Sequence, residues 1–380
     1  MKHNKHNSSF TFEYEPLEFN KFTEKSLLQV CLGATLYMPA TKEITNKIIN
    51  LEIPHIKSMV MCFEDAIAYH DLERAEANAI QHLEVISTNL DSSISVNDIP
   101  LIFFRVRSIE QFVSFSNQLS KKQLSVLTGF VFPKLCSENA DAYFDVLQNI
   151  NEKNRVNLYG MPILESSEIA YRETRSEELF KLKCCLDKYQ DLVLNIRVGG
   201  TDFSSLFGVR RGINSSIYDI LPVRDTISDI LNVFNRAQDG YTVSGPVWEY
   251  FLASKEDNIH DYLYENIHRS ILTKEPILND AVDGLLREVV QDKANGMVGK
   301  TVIHPSHLKY VNAMQAVTLE EYDDALQITG ASGGVIKSSS QNKMNEIGPH
   351  QSWANRITLR AQAFGVIKNE QQYIQLFLES

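Results

Sequence analysis

Residues 101–135 read LIFFRVRSIEQFVSFSNQLSKKQLSVLTGFVFPKL, and this stretch holds the pattern that decides the fold. Two continuously apolar runs of strand length, Leu101–Val106 and Gly129–Phe132, flank a longer stretch in which polar and apolar residues mix. Continuous apolar runs are typical of strands that are buried on both faces, as in parallel sheets. Because parallel strands need a long crossover, usually a helix, the stretch predicts one strand–helix–strand unit.

The same alternation continues in both directions along the chain. Six further apolar runs have strand length: Ala34–Met38, Ser58–Phe63, Asn157–Leu164, Leu192–Val198, Gly240–Ser244 and Lys300–Ile303. The stretches between them, such as Glu73–Ser87 and Ala140–Asn151, are long enough for crossover helices. Eight such units predict an α/β fold, a closed (β/α)8 TIM barrel rather than an open sheet.

The composition excludes several other classes of protein. With 43% hydrophobic and 22% charged residues, the chain is close to the average of globular proteins, so a fully disordered chain is excluded. No apolar run reaches the roughly 18 residues of a membrane-spanning helix. The net charge of −11 disfavours nucleic acid as a partner, because phosphate binding needs clustered Lys and Arg. No GxGxxG or GxxxxGK[ST] motif supports a dinucleotide or P-loop site.

The termini and the cysteines predict the organisation and the compartment. Residues 1–25 are polar and mixed, which predicts a flexible arm or a short helix without a secretory signal. The barrel is expected over residues 26–315. Residues 316–380, the C-terminal extension, are expected to form helices at Thr318–Ile328 and Trp353–Gly365, separated by a Gly/Ser-rich loop at Gly330–Ser340, and to serve as an oligomerisation arm. The five cysteines form no CxxC pair, so we expect the reduced thiols of a cytoplasmic protein.

Charged residues close or follow several of the predicted strands. Catalytic groups of TIM barrels lie at the carboxyl ends of the strands, so these residues are expected to meet at one mouth of the barrel. The acids are Glu64, Asp65, Glu165 and Asp202, and the cations are Arg105 and Lys134. Carboxylates that cluster without compensation repel one another, and a divalent cation relieves that repulsion. Magnesium commonly takes one or two carboxylates and completes its shell with water and substrate.

Two of these acids are the best pair of metal ligands. Glu165 and Asp202 follow successive strands and are therefore neighbours at the rim of the predicted barrel. Gly199 and Gly200 allow the backbone to pass close to a ligand there, and Thr201 follows them. Arg105 offers a planar fork of donors for a substrate carboxylate.

Each of these residues also has a purely structural explanation. Glu64 and Asp65 are acids that favour the positive end of the following helix, and Glu165 can equally begin an exposed helix. The Gly-Gly-Thr-Asp segment can be a turn in which Asp202 caps a helix. Lys134, after Pro133, can be a surface lysine. The functional interpretation depends on the set, because independent strand ends carry groups of complementary charge.

Seven segments occur in an order that resembles the HpcH/HpaI aldolase and citrate lyase β-subunit superfamily. They are LYMPA (36–40), FEDAIA (63–68), FRVRS (104–108), GFVFPKL (129–135), PILESSE (162–168), GGTDFSSLFG (199–208) and GKTVIHPSHL (299–308). The similarity covers roughly residues 33–310. It is greatest to the branch found in bacterial tellurite-resistance and stress-response gene clusters. The resemblance implies a magnesium-dependent carbon–carbon lyase on a TIM barrel that forms a homo-oligomer.

The resemblance also implies residue roles. It assigns Glu165 and Asp202 to Mg²⁺, Arg105 to the substrate carboxylate or carbonyl, and Glu64 and Asp65 to the surroundings of the metal. The segment NKMNEIGPH (342–350) resembles the one that carries an acid into the active site of a neighbouring subunit, which implies a catalytic role for Glu346.

The chain departs from the family pattern at two places. The first strand, GATLYMPA at 33–40, lacks the usual arginine, and Ala40 replaces a glycine. After Arg105 the usual asparagine is replaced by Arg107. These changes argue against a coenzyme A ester, and Arg107 is a candidate substrate-binding residue for a more anionic small molecule, together with Lys134, Gly200 and Thr201.

The expected function is a magnesium-dependent carbon–carbon lyase or aldolase acting on a small oxo- or hydroxy-acid, either free or as its CoA thioester. The same enolate chemistry also serves condensation. The alternative is a catalytically altered barrel that senses a ligand or assists assembly in a stress-response pathway.

Overall fold

Eight parallel strands form one sheet in the computed structural model, which describes residues 1–4, 10–90, 92–251, 278, 280–338 and 342–377. The strands are β1 Ala34–Pro39, β2 Ser58–Cys62, β3 Leu101–Arg105, β4 Gly129–Phe132, β5 Tyr159–Leu164, β6 Ile196–Val198, β7 Val243–Ser244 and β8 Lys300–Val302. They pair in chain order from β1 to β7, and β8 pairs with β1. All eight predicted runs contain a strand.

The sheet closes into a barrel between β7 and β8. Gly245, directly after β7, donates its N–H to the carbonyl of Gly299 at 3.1 Å and accepts the N–H of Thr301 at 3.1 Å. The predicted TIM barrel is therefore confirmed.

Fifteen α-helices lie in the described residues. They are α1 Lys25–Cys31, α2 Thr45–Ile49, α3 Leu72–Asn89, α4 Ile109–Gln118, α5 Lys121–Val126, α6 Ala140–Asn154, α7 Ser167–Ala170, α8 Arg172–Lys188, α9 Gly200–Leu206, α10 Leu221–Phe234, α11 Asp280–Ala294, α12 Leu308–Ala313, α13 Leu319–Gly330, α14 Ile347–Phe364 and α15 Gln372–Phe377. Short 3₁₀ helices lie at Tyr69–Asp71, Ile217–Asp219 and Pro305–His307. None of the helices of the described chain is long and apolar enough to cross a membrane.

Local signals explain where several helices begin. The Ser108 side chain accepts the N–H of Gln111 at the start of α4. Ser120 and Gln123 form a capping box at the start of α5, and Thr318 and Glu321 form another at the start of α13. Such caps satisfy backbone N–H groups that have no partner inside the helix.

Strand alternation separates the two faces of the barrel wall. In β1, Ala34 and Leu36 belong to the core between strands and helices, whereas Thr35 and Tyr37 alternate with them and face the interior. Toward the amino ends of the strands, the interior is filled by apolar side chains such as Val60, Phe103 and Met161. Toward the carboxyl ends, polar and charged side chains replace them, and this change of polarity positions the site.

Described residues of the amino-terminal segment, for which a flexible arm or a short helix is expected, pack on the barrel. Phe19 is buried with Leu28 and Val60 in one cluster, and its ring stacks on His3 at 5.1 Å. The terminal amine of Met1 donates to the carbonyl of Phe19 at 2.6 Å. The polar composition of residues 1–25 hid this contact, because a few apolar side chains are enough to close the amino end of the barrel.

The C-terminal extension also packs against the barrel. Helix α14 begins at Ile347, earlier than the expected Trp353, and its residue Phe364 lies beside His3. Two short strands, β10 Val335–Lys337 and β11 Met344–Glu346, form a hairpin in and after the expected Gly/Ser-rich loop. A further parallel pair, β9 Val317–Thr318 and β12 Val366–Ile367, joins the two ends of the extension.

Replacement of Phe19 tests whether the amino-terminal segment belongs to the folded core. We expect Phe19→Ala to lower the free energy of unfolding by about 3–5 kcal/mol in urea titrations, because a buried aromatic ring is lost. Phe22→Ala is the matched control, since that side chain is 70% exposed, and we expect a change of about 0.5 kcal/mol or less. Equal stability of both variants would indicate that the segment is not part of the folded core.

Candidate active site

A cavity of about 590 Å³ opens at the carboxyl ends of the barrel strands, and we call it the mouth cavity. Six of the predicted residues line its walls: Asp65, Arg105, Glu165, Gly200, Thr201 and Asp202. Its other lining residues are Tyr37, Met38, Pro39, Cys62, Ala66, Ile163, Arg197, Val198, Gly199, Ser205, Val247, Thr301 and Ile303. Its position and size are those of a small-molecule site.

Arg105 joins three carboxylates at the wall of the mouth cavity. Its Nη2 lies 2.7 Å from Glu64 Oε2, 3.2 Å from Asp65 Oδ2 and 3.0 Å from Glu165 Oε1. The contacts form because Arg105 ends β3 on the interior face, next to Cys62 of β2, whose chain continues into Glu64 and Asp65. Burial disfavours the charged guanidinium, but Glu165 and Glu64 raise the pKa of Arg105 above its usual range. Arg105 is therefore a permanent cation here.

Lys134 supports the same carboxylates from the end of β4. Its Nζ lies 2.6 Å from Glu64 Oε1, and its backbone N–H donates to Glu165 Oε1 at 2.9 Å. The residue has a left-handed backbone with φ +48°, which is uncommon for a side chain of this size. A strained backbone conformation persists only where the surrounding structure holds it in place. In this conformation, the backbone N–H of Lys134 contacts Glu165 and its ammonium group contacts Glu64.

Glu165 and Asp202 converge at Gly199. A Cβ atom built on Gly199 would lie 2.6 Å from Glu165 Oε2 and 3.2 Å from Asp202 Oδ2. The absence of a side chain at Gly199 therefore lets β6 and α9 bring the two carboxylates to one point. Any side chain at Gly199 would displace Glu165.

The donor set of these two acids fits magnesium. Among the described residues, no group of three or more His, Cys, Asp and Glu side chains is arranged to hold a metal. Two carboxylates with an open side facing a cavity match magnesium, which keeps water and substrate in its shell. The four acids of the cluster face two cations, Arg105 and Lys134, so negative charge is in excess when all four are ionised.

Burial and mutual repulsion shift the acids of the cluster in different directions. Burial, with a further contribution from the charge of Asp202, raises the pKa of Glu165 to about 8, although Arg105 opposes the shift. Burial also raises the pKa of Glu64. Burial acts to raise the pKa of Asp65 too, but the hydrogen bond with Glu64 and the charges of Arg105 and Lys134 lower it overall. Neighbouring carboxyl groups with pKa values pushed apart are typical of acid–base pairs.

Arg197 is a cavity residue that the sequence analysis missed. It is 1% exposed, and it donates to Thr35 Oγ1 at 3.2 Å and to Thr301 Oγ1 at 2.6 Å. Its Nε and the nearby Tyr37 hydroxyl are buried without a hydrogen-bond partner, and no ion pair is formed by Arg197 within the described part of the chain. The alternation of β6 could have revealed it, because Ile196 and Val198 face the helices and Arg197 between them must face the interior.

Arg107, expected as a substrate-binding residue, is not among the lining residues of the mouth cavity. Its Nε donates to the carbonyl of Phe63 at 2.8 Å, and its Nη2 donates to those of Glu64 and Ile67 at 3.0 and 2.9 Å. The β3 strand ends at Arg105, so the chain has already turned when it reaches Arg107. The guanidinium therefore holds the loop that carries Glu64 and Asp65.

Glu346 lies outside the mouth cavity of its own chain. It ends β11 as an exposed residue, directly before α14. Helix α14 contacts the barrel at residues that precede strands: Arg360 donates to the carbonyl of Met297, and Arg356 to that of Asn235. Helix α14 of the extension thus contacts the amino end of the barrel, opposite the mouth cavity.

Comparisons with known proteins agree with this architecture. The profile of a family described as C–C bond lyase of the TIM-barrel fold matches residues 26–366. No curated protein sequence matches the chain significantly. A citrate lyase structure from Burkholderia xenovorans LB400 is similar with a TM-score of 0.59 and 14% identity, covering 91% of this chain and 96% of that one. The protein CitE from Mycobacterium tuberculosis, in complex with magnesium, acetoacetate and coenzyme A, gives 0.51 and 15%, with coverages of 87% and 97%.

The raised pKa of Glu165 predicts a pH-dependent loss of stability in metal-free protein. The unfolded chain releases this proton near pH 4.5, whereas the folded protein retains it to about pH 8, so the folded state binds more protons between these values. The free energy of unfolding should therefore fall as the pH rises through this window, by at most about 1.4 kcal/mol per pH unit from this group.

Metal-free urea titrations of the wild type and Glu165→Gln at several pH values measure this contribution. We expect the stability of the wild type relative to the variant to decrease between pH 4.5 and 8. Glu152→Gln, an exposed substitution on α6, is the control and should show no such trend. A constant difference between wild type and Glu165→Gln would contradict the shifted pKa.

Proposed function

The chain belongs to the family of carbon–carbon bond lyases of the TIM-barrel fold, and from that premise we propose a magnesium-dependent lyase or aldolase that cleaves a small oxo- or hydroxy-acid, free or as its CoA thioester. The observation that carries the proposal is the convergence of Glu165 and Asp202 beside Arg105 in the mouth cavity. The magnesium and acid ligands of the similar M. tuberculosis structure support the same ligand class.

Glu165 and Asp202 would hold the metal in this proposal. When bound, a magnesium ion would supply Lewis-acid stabilisation of the negative charge that develops on the substrate oxygen as the carbon–carbon bond breaks. The two carboxylates would provide its protein ligands, and Gly199 would keep the space between them open. Lys134 would keep Glu165 oriented through its backbone N–H.

Arg105, Glu64 and Asp65 would handle charge and protons around the reacting group. Arg105 has a buried Nε without a partner, so it can hold the acids through Nη2 and still donate to a substrate oxygen. Burial acts to raise the pKa of Asp65, but its hydrogen bond with Glu64 and the nearby cations lower that pKa overall. Asp65 would therefore stay ionised and accept the proton of the substrate hydroxyl group. Glu64, whose pKa is raised by burial, can share that proton.

Arg197 would bind a second anionic group of the substrate. Arg105 is already surrounded by carboxylates, whereas Arg197, in the same cavity, meets the Thr35 and Thr301 hydroxyl groups and the Tyr37 ring but no acid in the described part of the chain. An uncompensated buried cation is costly, and a substrate carboxylate would remove that cost. The first strand lacks the arginine of the family pattern, and Arg197 on β6 would supply a cation in the cavity instead. A cation in addition to the proposed metal favours a dicarboxylic substrate.

Glu346 remains a proposed proton donor that acts on a second copy of the chain. Its exposure at the end of β11 leaves it accessible to a neighbouring molecule. This role requires a homo-oligomer.

Replacement of Asp202 tests the metal site. We expect Asp202→Asn to abolish magnesium binding in calorimetric titrations, together with magnesium-dependent binding of oxaloacetate, pyruvate or glyoxylate, because one of two carboxylate ligands is lost. Asp225→Asn, an exposed change on α10, should leave both unchanged. If Asp202→Asn retains magnesium-dependent ligand binding, Asp202 is not a required ligand of the metal.

Replacement of Arg197 tests the second anionic group. The probes are 2-oxoglutarate and 2-oxopentanoate, which have the same chain length and differ by the distal carboxylate. We expect the wild type to prefer 2-oxoglutarate and Arg197→Met to lose about 10- to 100-fold of affinity for it, with little change for 2-oxopentanoate. Arg172→Met, exposed at the start of α8, is the control. Equal losses for both acids would reduce Arg197 to a structural residue.

A further inference from the structure

A second cavity, of about 530 Å³, lies where the C-terminal extension meets the barrel, and we call it the junction cavity. Helices α11 and α14, the segment after α10 and the first turn of α13 surround it. Its lining residues are Asn235, Ala237, Val290, Lys293, Ala294, Gly296, Glu321, Ser352, Trp353, Arg356, Ile357 and Arg360. It lies toward the amino end of the barrel and shares no lining residue with the mouth cavity.

The charges that line the junction cavity do not balance. Lys293, Arg356 and Arg360 are cations, and Glu321 is the one acid among the described lining residues. The Oε2 of Glu321 is already engaged, because it accepts the N–H and the hydroxyl of Thr318 at 3.0 Å each in the cap of α13. Among the lining residues, two positive charges therefore remain in excess.

Arg360 is the most deeply placed of the three cations. It is 8% exposed, and within the described ranges its Nε has no hydrogen-bond partner and its Nη2 donates only to the carbonyl of Met297, at 3.4 Å. Burial lowers the pKa of Arg360 despite the charge of Glu321, and burial lowers the pKa of Lys293 to about 8. Cations buried without full compensation are costly, and a bound anion would remove this cost.

Arg356 is held at the edge of the same cavity by the backbone. Its Nη2 donates to the carbonyl of Asn235 at 2.7 Å. Gly296 has a positive φ of +79°, and a Cβ there would lie 2.8 Å from Arg356 Nη1. The glycine thus permits the close approach of the guanidinium, and Arg356 is positioned before any ligand arrives.

One wall of the junction cavity is apolar. The Trp353 indole, 38% exposed, stands beside Ile357 on α14, and Val290 and Ala237 lie on the barrel side. An aromatic or other apolar group could pack on this wall while its charged end meets the cations. Tryptophan at the edge of a site commonly gives such a contact.

We propose that the junction cavity binds a small phosphomonoester that carries an aromatic or apolar group. Its dianion matches the two excess positive charges, and its three terminal oxygens match the three cations around them. A carboxylate carries half of that charge. Because the ligand would contact α11 and α14 together, it would fasten the C-terminal extension to the barrel, and this inference stands independently of the proposed lyase activity.

Calorimetric titration with three probes tests the proposal on the full chain. Phenyl phosphate has both the dianion and the ring, benzoate has the ring with a single charge, and inorganic phosphate lacks the ring. We expect phenyl phosphate to bind most tightly and to raise the melting temperature of the protein, since a ligand of the folded state stabilises it. Added magnesium should not change its affinity, because the mouth cavity is separate.

Two arginine variants assign the binding to this cavity. We expect Arg360→Gln to lower the affinity for phenyl phosphate about 10- to 100-fold, and Arg356→Gln, at a less buried position, serves if Arg360→Gln does not fold. Arg236→Gln, an exposed change close to the cavity that is not part of its lining, should bind like the wild type. Trp353→Ala should weaken phenyl phosphate and leave inorganic phosphate unchanged.

Three results would overturn the proposal. They are the absence of phenyl phosphate binding to the wild type, binding that both arginine variants retain, and benzoate that binds as tightly as phenyl phosphate. Each is independent of whether Asp202→Asn loses magnesium.

Discussion

The contact of one guanidinium, that of Arg105, with three carboxylates is the interaction on which the mouth cavity depends. Glu64, Asp65 and Glu165 come from the ends of two strands, and they would repel one another without a shared cation. Barrel closure forces these strand ends together, so the charge of Arg105 is required as soon as the fold forms. The arrangement still leaves an excess of negative charge around Glu165 and Asp202, which is what a divalent cation needs.

The interior of the barrel carries opposite charges at different positions. The acids stand at the rim, whereas Arg197 reaches across the interior to Thr35 and Thr301 without meeting an acid within the described residues. A substrate with two anionic groups would therefore be held at both ends, one near the proposed metal and one on Arg197. The separation of the rim acids from Arg197 would therefore fix the orientation of the substrate in the cavity, which the acids alone would not do.

The two ends of the chain meet at the amino end of the barrel. His3 and Phe19 from the first residues lie with Phe364 of α14 in one apolar region. The extension is consequently part of the folded unit in a single chain, and its contact with the barrel encloses Lys293, Arg356 and Arg360. Arrangements of this kind bring together charges that are far apart along the sequence.

The sequence by itself determined the barrel and the type of its rim residues. Apolar runs of strand length alternate with stretches of helix length, so all eight strands were predictable, and acids directly after such runs, such as Glu165, were expected near the rim. The tertiary structure decided where each strand stops and which residues pack against it. Arg107 lies past the end of β3, whereas Arg197 faces the interior, and residue type alone does not separate the two cases. Phe19 shares a buried cluster with Phe364, and Arg360 donates to the carbonyl of Met297. Side-chain direction depends on where a strand stops and on what packs against it, and long-range packing is not written in any local pattern.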